Sequence, residues 1–170
     1  HPEYRRQRQM CIRDSFTIEK LNAWNNLSHS FKDHQDVSTV IAFGDLQKLK
    51  KNKSSRQFSI EPFIKDSIYS KSQLDLLKEE IFNKSPFYDK FLINSESQAV
   101  RTAINLKTEV VNTVKRENFV LNILEPKVKE FEDKYNLDVR ISGMPYVRTK
   151  YSQTIKAELG KFLILAALVT

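Results

Sequence analysis

The sequence predicts an α+β fold that runs into a long C-terminal helix. Three observations carry this. Apolar residues recur at three- and four-residue spacing in residues 16–35, after Ser70, and between Asn112 and Tyr135, which is the period of a helix with one buried face. Between these segments, residues 37–43, 98–107 and 137–141 have the β-branched content or the two-residue alternation of strands. The chain then closes on Phe162-Leu163-Ile164-Leu165-Ala166-Ala167-Leu168-Val169, a run without a polar group.

Taken in order, Thr17 is the expected N-cap of the first helix, whose stripe is Ile18, Leu21, Trp24, Leu27 and Phe31. Trp24 on that stripe reads as a core anchor rather than a ligand platform. Asp36 closes the helix. Val37-Ser38-Thr39-Val40-Ile41-Ala42-Phe43 is a strand, and Gly44-Asp45 turns the chain. Residues 46–56 are polar and basic, and suggest a short helix and a loop. Phe58 and Ile60 alternate weakly, with Pro62 restricting that segment to an edge. Ser70 and Gln73 have capping-box spacing and open a helix with Leu74, Leu77, Ile81 and Phe82 inward. That helix ends before Pro86, and an aromatic extended piece from Phe87 to Ile93 follows.

Residues 98–107 are the clearest strand, with Val100, Thr102, Ile104 and Leu106 alternating against Arg101, Ala103, Asn105 and Lys107. Asn112 opens the longest helix. Phe119, Ile123, Val128, Phe131 and Tyr135 mark its inner side, and Pro126 predicts a kink or a junction of two helices. Asn136 is the expected C-cap. Leu137-Asp138-Val139-Arg140-Ile141 is a short strand leading to Ser142-Gly143. Gly143 permits a tight reversal, and Pro145 suits the first turn of the last helix. The second half is thus a β-α-β unit, and the first half is an α-β that lacks a leading strand. Two such units interleaved make the split βαβ, ferredoxin-like sandwich, with its first strand belonging before Phe16.

Residues 1–15 stand apart. They show no apolar periodicity, and Met10-Cys11-Ile12-Arg13-Asp14-Ser15 resembles the translation of a transposon-type sequencing adaptor, so this arm is expected to be non-native and disordered. The division expected is therefore this arm, an α+β domain over residues 16–143, and a C-terminal helix over residues 144–170 whose apolar end reads as the first turns of a membrane span.

Charged residues at 29% and hydrophobic ones at 40% exclude a disordered chain. The formal charge is +7; the arm holds Arg5, Arg6, Arg8 and Arg13 against Glu3 and Asp14, a net of +2, which leaves +5 for the rest. The densest basic run is Lys48, Lys50, Lys51, Lys53 and Arg56, which reads as a solvated loop. Without a recognisable module or interleaved aromatics, a nucleic-acid partner is not expected. The only cysteine, Cys11, lies in the arm, so neither a disulfide framework nor a thiolate metal site is available. A cysteine-free domain is compatible with an extracytoplasmic location.

No catalytic constellation stands out. His29 and His34 are five apart rather than the four that share a helical face. Metalloprotease, phosphate-loop and nucleophile-elbow motifs are absent from the sequence. Glu79, Glu80, Glu130, Glu132 and Asp133 sit among lysines and read as solvated charge, and Tyr88 with its neighbouring phenylalanines reads as packing. No catalytic, cofactor-binding or metal-ligating residue is assigned, and the chain is not expected to be an enzyme.

From Phe16 onward, the order of these features resembles the loop after the first transmembrane helix of bacterial exporters of the resistance-nodulation-division (RND) superfamily, in its MMPL and Patched-like branch. The carrying residues are Phe87-Tyr88 before a Leu-Ile-Asn turn and the strand of residues 98–107, then Val110-Val111-Asn112 opening the long helix. They end with Ser142-Gly143-Met144-Pro145, followed by Arg148-Thr149, a helix and an apolar run. In that family the S-G-x-P segment ends the periplasmic domain and leads into the second transmembrane helix.

The resemblance implies export of hydrophobic or amphiphilic molecules, lipids or drugs, driven by an ion gradient, from the bacterial inner membrane with residues 16–143 on the periplasmic side. Ser142, Gly143 and Pro145 would form the turn into the membrane helix, and Lys161, Phe162, Leu163, Ile164 and Leu165 would enter the bilayer, Lys161 snorkelling at its surface. The partners implied are the bilayer, hydrophobic small molecules or lipids, the remainder of the transporter chain, and further copies in a homo-oligomer. No cofactor is implied. A span needs ~20 apolar residues, so the run would be its first turns. The competing readings are a soluble α+β binding or interaction module with a docked C-terminal helix, and the extracytoplasmic domain of another, ABC-type, export permease.

Overall fold

A computed structural model describes residues 17–51, 58–64, 67–84, 92–94 and 99–169. The chain is a mixture of helix and strand, an α+β protein, in two compact units: residues 1–105 and residues 106–170. The expectations for residues 1–15 and for the aromatic residues 87–91 lie outside the described residues.

In the first unit, α1 (Ile18–His29) begins where the Thr17 hydroxyl accepts the Lys20 N–H at 3.3 Å. Strand β1 (Val37–Ile41) follows, then one tight turn (Phe43–Asp45). β2 (Gln47–Lys51) and β3 (Phe58–Pro62) form an antiparallel pair, and α2 (Lys71–Lys84) comes next. Ser70 and Gln73 close the capping box: the Ser70 hydroxyl accepts the Gln73 N–H at 3.2 Å, and the Gln73 carbonyl oxygen accepts the Ser70 N–H at 3.2 Å. β4 (Ile93–Asn94) pairs with β5 (Ala99–Val100), and β6 (Ala103–Leu106) pairs with β1. The core joins Leu21, Phe43, Leu46, Ile68, Leu74, Leu77 and Leu92.

Three polar devices fix this unit. Asn22 clamps Ile68 twice, its side-chain amide donating to the Ile68 carbonyl at 2.8 Å and accepting the Ile68 N–H at 3.1 Å. Asn25 accepts the Gly44 N–H at 3.0 Å, so close that a Cβ at Gly44 would lie 2.3 Å from the Asn25 oxygen. Asp45 accepts the Ala42 N–H at 2.9 Å and the Lys32 ammonium at 2.6 Å.

In the second unit, α3 (Val114–Phe119), a π-helical turn (Val120–Leu124) and α4 (Glu125–Tyr135) form one bent helix. Phe119, Val120, Val128 and Phe131 are buried, and Phe131 stacks on Tyr135 with ring centres 4.9 Å apart. Asn136 ends the helix in the left-handed conformation, φ 49°. α5 (Met144–Val169) completes the chain.

Three expectations need correction. Residues 46–56 begin with a strand, not a helix. Lys48 is neutralised by Glu80 at 2.9 Å and Lys50 by Glu61 at 3.3 Å, which removes the repulsion that disfavours lysine-rich strands. The single strand of residues 98–107 is two, because its pieces pair with different partners: β5 with β4, a ladder that the Arg101 N–H continues onto the Leu92 carbonyl at 2.7 Å, and β6 with β1. The junction expected at Pro126 is present: α4 begins at Glu125 with Pro126 in its first turn, and the π turn just before it is closed by the Glu125 N–H on the Val120 carbonyl. Residues 137–141 are not a strand. The Leu137 N–H goes to the Glu132 carbonyl at 3.2 Å and the Val139 N–H to the Glu132 carboxylate at 2.8 Å, so the donors that would build a ladder are taken by the end of α4.

Candidate functional site

The sequence directs attention to the turn before α5 and to the far end of that helix. Gly143 has φ 114°, a conformation that a side chain resists, and its carbonyl accepts the Val147 N–H at 3.0 Å to start the helix. Pro145 falls in the first turn, where the N–H it lacks has no helical partner to meet. Ser142, Gly143 and Pro145 thus stand at the turn into α5.

The first half of α5 is seated on α3 and α4 by polar contacts. Thr149 is fully buried; its hydroxyl donates to the Pro145 carbonyl at 2.9 Å and accepts the Arg116 Nε–H at 3.1 Å. Arg116 also donates to the Val111 carbonyl at 3.1 Å, which fixes the guanidinium at both ends. Arg148 reaches the Asn112 side chain at 2.8 Å. Lys150, next to Thr149, meets Glu125 at 2.5 Å, and Lys156, about two turns further on, meets Glu117 at 3.0 Å. The Glu125 bond raises the Lys150 pKa above its usual value. The Tyr146 phenol is also pushed up, by burial first and then by the neighbouring Glu125 charge.

The opposite side of α5 has no such seat. Val147, Tyr151, Ile155 and Leu159, one every four residues, form an exposed apolar stripe that starts on the first turn. Beyond Lys161 the helix is apolar on every side. Phe162, Leu163, Ile164, Leu165 and Leu168 keep 59–79% of their surface exposed, and every residue from Lys161 to Leu168 is exposed. Burying an apolar side chain of this size is worth about 1.5–3 kcal/mol, so these five leave about 8–15 kcal/mol of transfer energy unused. Among the described residues no helix is long and apolar enough to cross a membrane.

The other candidates of the sequence have local roles. His29 lies beside Asp45 at 3.3 Å, and the His34 ring accepts the Asp36 N–H at 3.2 Å, so the two histidines serve separate turns. No group of three or more metal-ligating side chains occurs among the described residues. Glu80 binds Lys48, and Asp133 binds Lys129 at 2.8 Å. Sequence reasoning missed the Arg116–Thr149 contact. Its only signal is that both residues lie on helices at facing positions, which requires knowing that the helices meet.

Comparison of the chain with protein-family models, with curated proteins and with solved structures finds no match.

Proposed function

We propose that this chain is part of an RND-type inner-membrane exporter of the MMPL and Patched-like branch, comprising its first periplasmic porter domain and the start of its second transmembrane helix. The observation that carries the proposal is the apolar end of α5, exposed on every side. A helix docked on a soluble core buries one face and shows the other. Uniform exposure of an apolar run suits a surrounding that is apolar in all directions, which is a bilayer. This favours the exporter over the soluble module with a docked helix. The exposed stripe from Val147 to Leu159 is then the face taken by the remainder of the transporter chain.

The ferredoxin-like arrangement belongs to this proposal. In the split βαβ order the second and third strands are neighbours, as β1 and β6 are. The fourth strand has the first as its only neighbour. Residues 137–141 would be that fourth strand, and the first belongs before Phe16, so this segment has no ladder to join. The functional role that follows is a movable wall of the path taken by lipids or other hydrophobic molecules, coupled to the membrane through α5.

The experiment uses the complete reading frame that contains this chain. Expressed in a host stripped of its own exporters, it lowers accumulation of a hydrophobic dye, and a protonophore abolishes the effect. A frame that stops soon after Thr170, or dye levels indifferent to expression, contradicts the exporter.

A further inference from the structure

The basic run of residues 48–56 is not absorbed by the exporter reading, and the structure gives its first part, residues 48–51, a setting that the sequence conceals. β2 and β3 pair with Lys51 opposite Phe58, Lys50 opposite Ser59, and Lys48 opposite Glu61. Directly opposed residues share a face, so the ribbon is two-sided. One face holds Lys48, Lys50, Ser59 and Glu61. Its charges are answered by Glu80 on Lys48 and by Glu61 on Lys50. The other face presents Phe58 and Ile60, 67% and 64% exposed, together with the exposed Lys51, and holds no carboxylate. The base of the ribbon is fixed: Leu46 is buried in the core, and the Phe63 N–H donates to its carbonyl at 3.0 Å. The blade is therefore anchored at one end while its apolar face is bare. Over residues 47–62 the sequence sets five cations against the single carboxylate of Glu61.

We infer that this face of the β2–β3 ribbon docks on an anionic lipid surface, with Phe58 and Ile60 entering the boundary between headgroups and acyl chains and Lys51 meeting lipid phosphates. Charge complementarity selects an anionic partner, and the apolar pair selects lipid among such partners. Ile60 has no π-face for stacking, and a nucleic-acid reader would need aromatics in both positions. The inference rests on the reading that the chain works at a bilayer, and deepens it by giving the porter domain a second, reversible contact with the membrane.

The test reads the ribbon and α5 separately in the full chain. In a Cys11→Ser background, Phe58→Cys and Leu163→Cys are each labelled with an environment-sensitive fluorophore and mixed with vesicles. The vesicles are phosphatidylcholine alone, or equal parts phosphatidylcholine and phosphatidylglycerol. The label at position 58 is expected to shift to the blue only with phosphatidylglycerol. The shift is lost at about 1 M salt, where the Debye length falls to roughly 3 Å. Lys51→Gln in the same background lowers the lipid-embedded population roughly fivefold, the share of one cation near such a surface. Ile60→Asp abolishes the shift while circular dichroism stays unchanged. A label at position 163 that shifts while that at 58 stays aqueous overturns the ribbon contact and leaves the bilayer reading standing. If neither shifts, both fail. A shift at 58 that appears without vesicles and grows with protein concentration assigns the face to a second copy, and one produced by single-stranded DNA in place of vesicles assigns it to nucleic acid. Either overturns the inference.

Discussion

The two ends of α5 are built by opposite rules. From Met144 to Gly160 the helix is tied down by polar side chains, with Thr149 buried under Arg116 and Lys150 and Lys156 held by the carboxylates of α3 and α4. From Lys161 onward what it presents is apolar and exposed in all directions. The first half depends on directional side-chain bonds to its own unit. The second half presents apolar side chains that gain by leaving water. One continuous helix thus passes from a specific protein seat to a non-specific solvent preference within a single turn. That is the behaviour the proposed exporter asks of the element leading into its membrane helix.

The sharpest way to break this contrast compares two phenylalanines. Phe119, buried beneath α5's seat, should cost about 3–5 kcal/mol of unfolding free energy when changed to alanine, read by denaturant titration of the full chain in mild detergent. Phe162→Ala should leave that titration unchanged within about 0.5 kcal/mol, because the rest of the chain leaves its ring 67% uncovered. Comparable losses at both sites would mean that the far end of α5 is docked after all.

A charge placed in the apolar run should act the other way round. Ile164→Arg is expected to lower vesicle partition by about 2.5–3.5 kcal/mol, roughly a hundredfold, with folding untouched. Flotation on a sucrose gradient measures it, and partition unchanged from the parent would exclude bilayer contact at that position.

At the seat, Thr149→Val removes the hydroxyl that the Arg116 guanidinium meets and should cost about 1–3 kcal/mol of stability by denaturant titration. Gly143→Ala is smaller, about 1–2 kcal/mol, since a Cβ there would meet only Pro145 Cδ, at an ordinary 3.9 Å, and the φ of 114° alone opposes a side chain. A neutral Gly143→Ala would mean that the turn into α5 relaxes freely.

The smallest effect distinguishes the first unit from this helix. Burial raises the Asp45 carboxyl, but the Lys32 bond, the Ala42 N–H and the charges of Lys32 and His29 outweigh it and leave its pKa below the ordinary 3.8. A depressed carboxylate stabilises the fold above its unfolded pKa and loses that contribution as the pH falls through its folded value. Asp45→Asn should therefore flatten the acid end of the stability profile by roughly 0.2–1 kcal/mol, the range of an exposed pair, as followed by circular dichroism against pH.

What could be read from the sequence was local. Thr17, the Ser70 and Gln73 box, Asn136, and the Gly143 and Pro145 turn act through backbone groups within a few residues, and all four stand in the structure as the sequence implies. The inward faces of α1 and α4 followed from period alone. What could not be read depends on partners distant in sequence. β2 looked like a basic loop because the carboxylates that neutralise it lie 11 and 32 residues away. The break between β5 and β6 needs two different partner strands, β4 and β1. Residues 137–141 alternate as a strand should, but alternation does not show that Glu132 takes the Leu137 and Val139 donors. At the candidate site the turn and the apolar run were legible, whereas the Arg116–Thr149 seat joins two helices 33 residues apart.

The central claim is that the end of α5 faces apolar surroundings on every side, and the most direct measurement is a scan of single labelled cysteines through residues 161–168 of the Cys11→Ser chain in vesicles. Quenching by nitroxide-bearing lipids is compared with quenching by aqueous iodide. The account predicts that from Phe162 onward lipid quenching dominates at each position regardless of helical face. A 3.6-residue alternation between the two quenchers, or iodide quenching throughout, would contradict it.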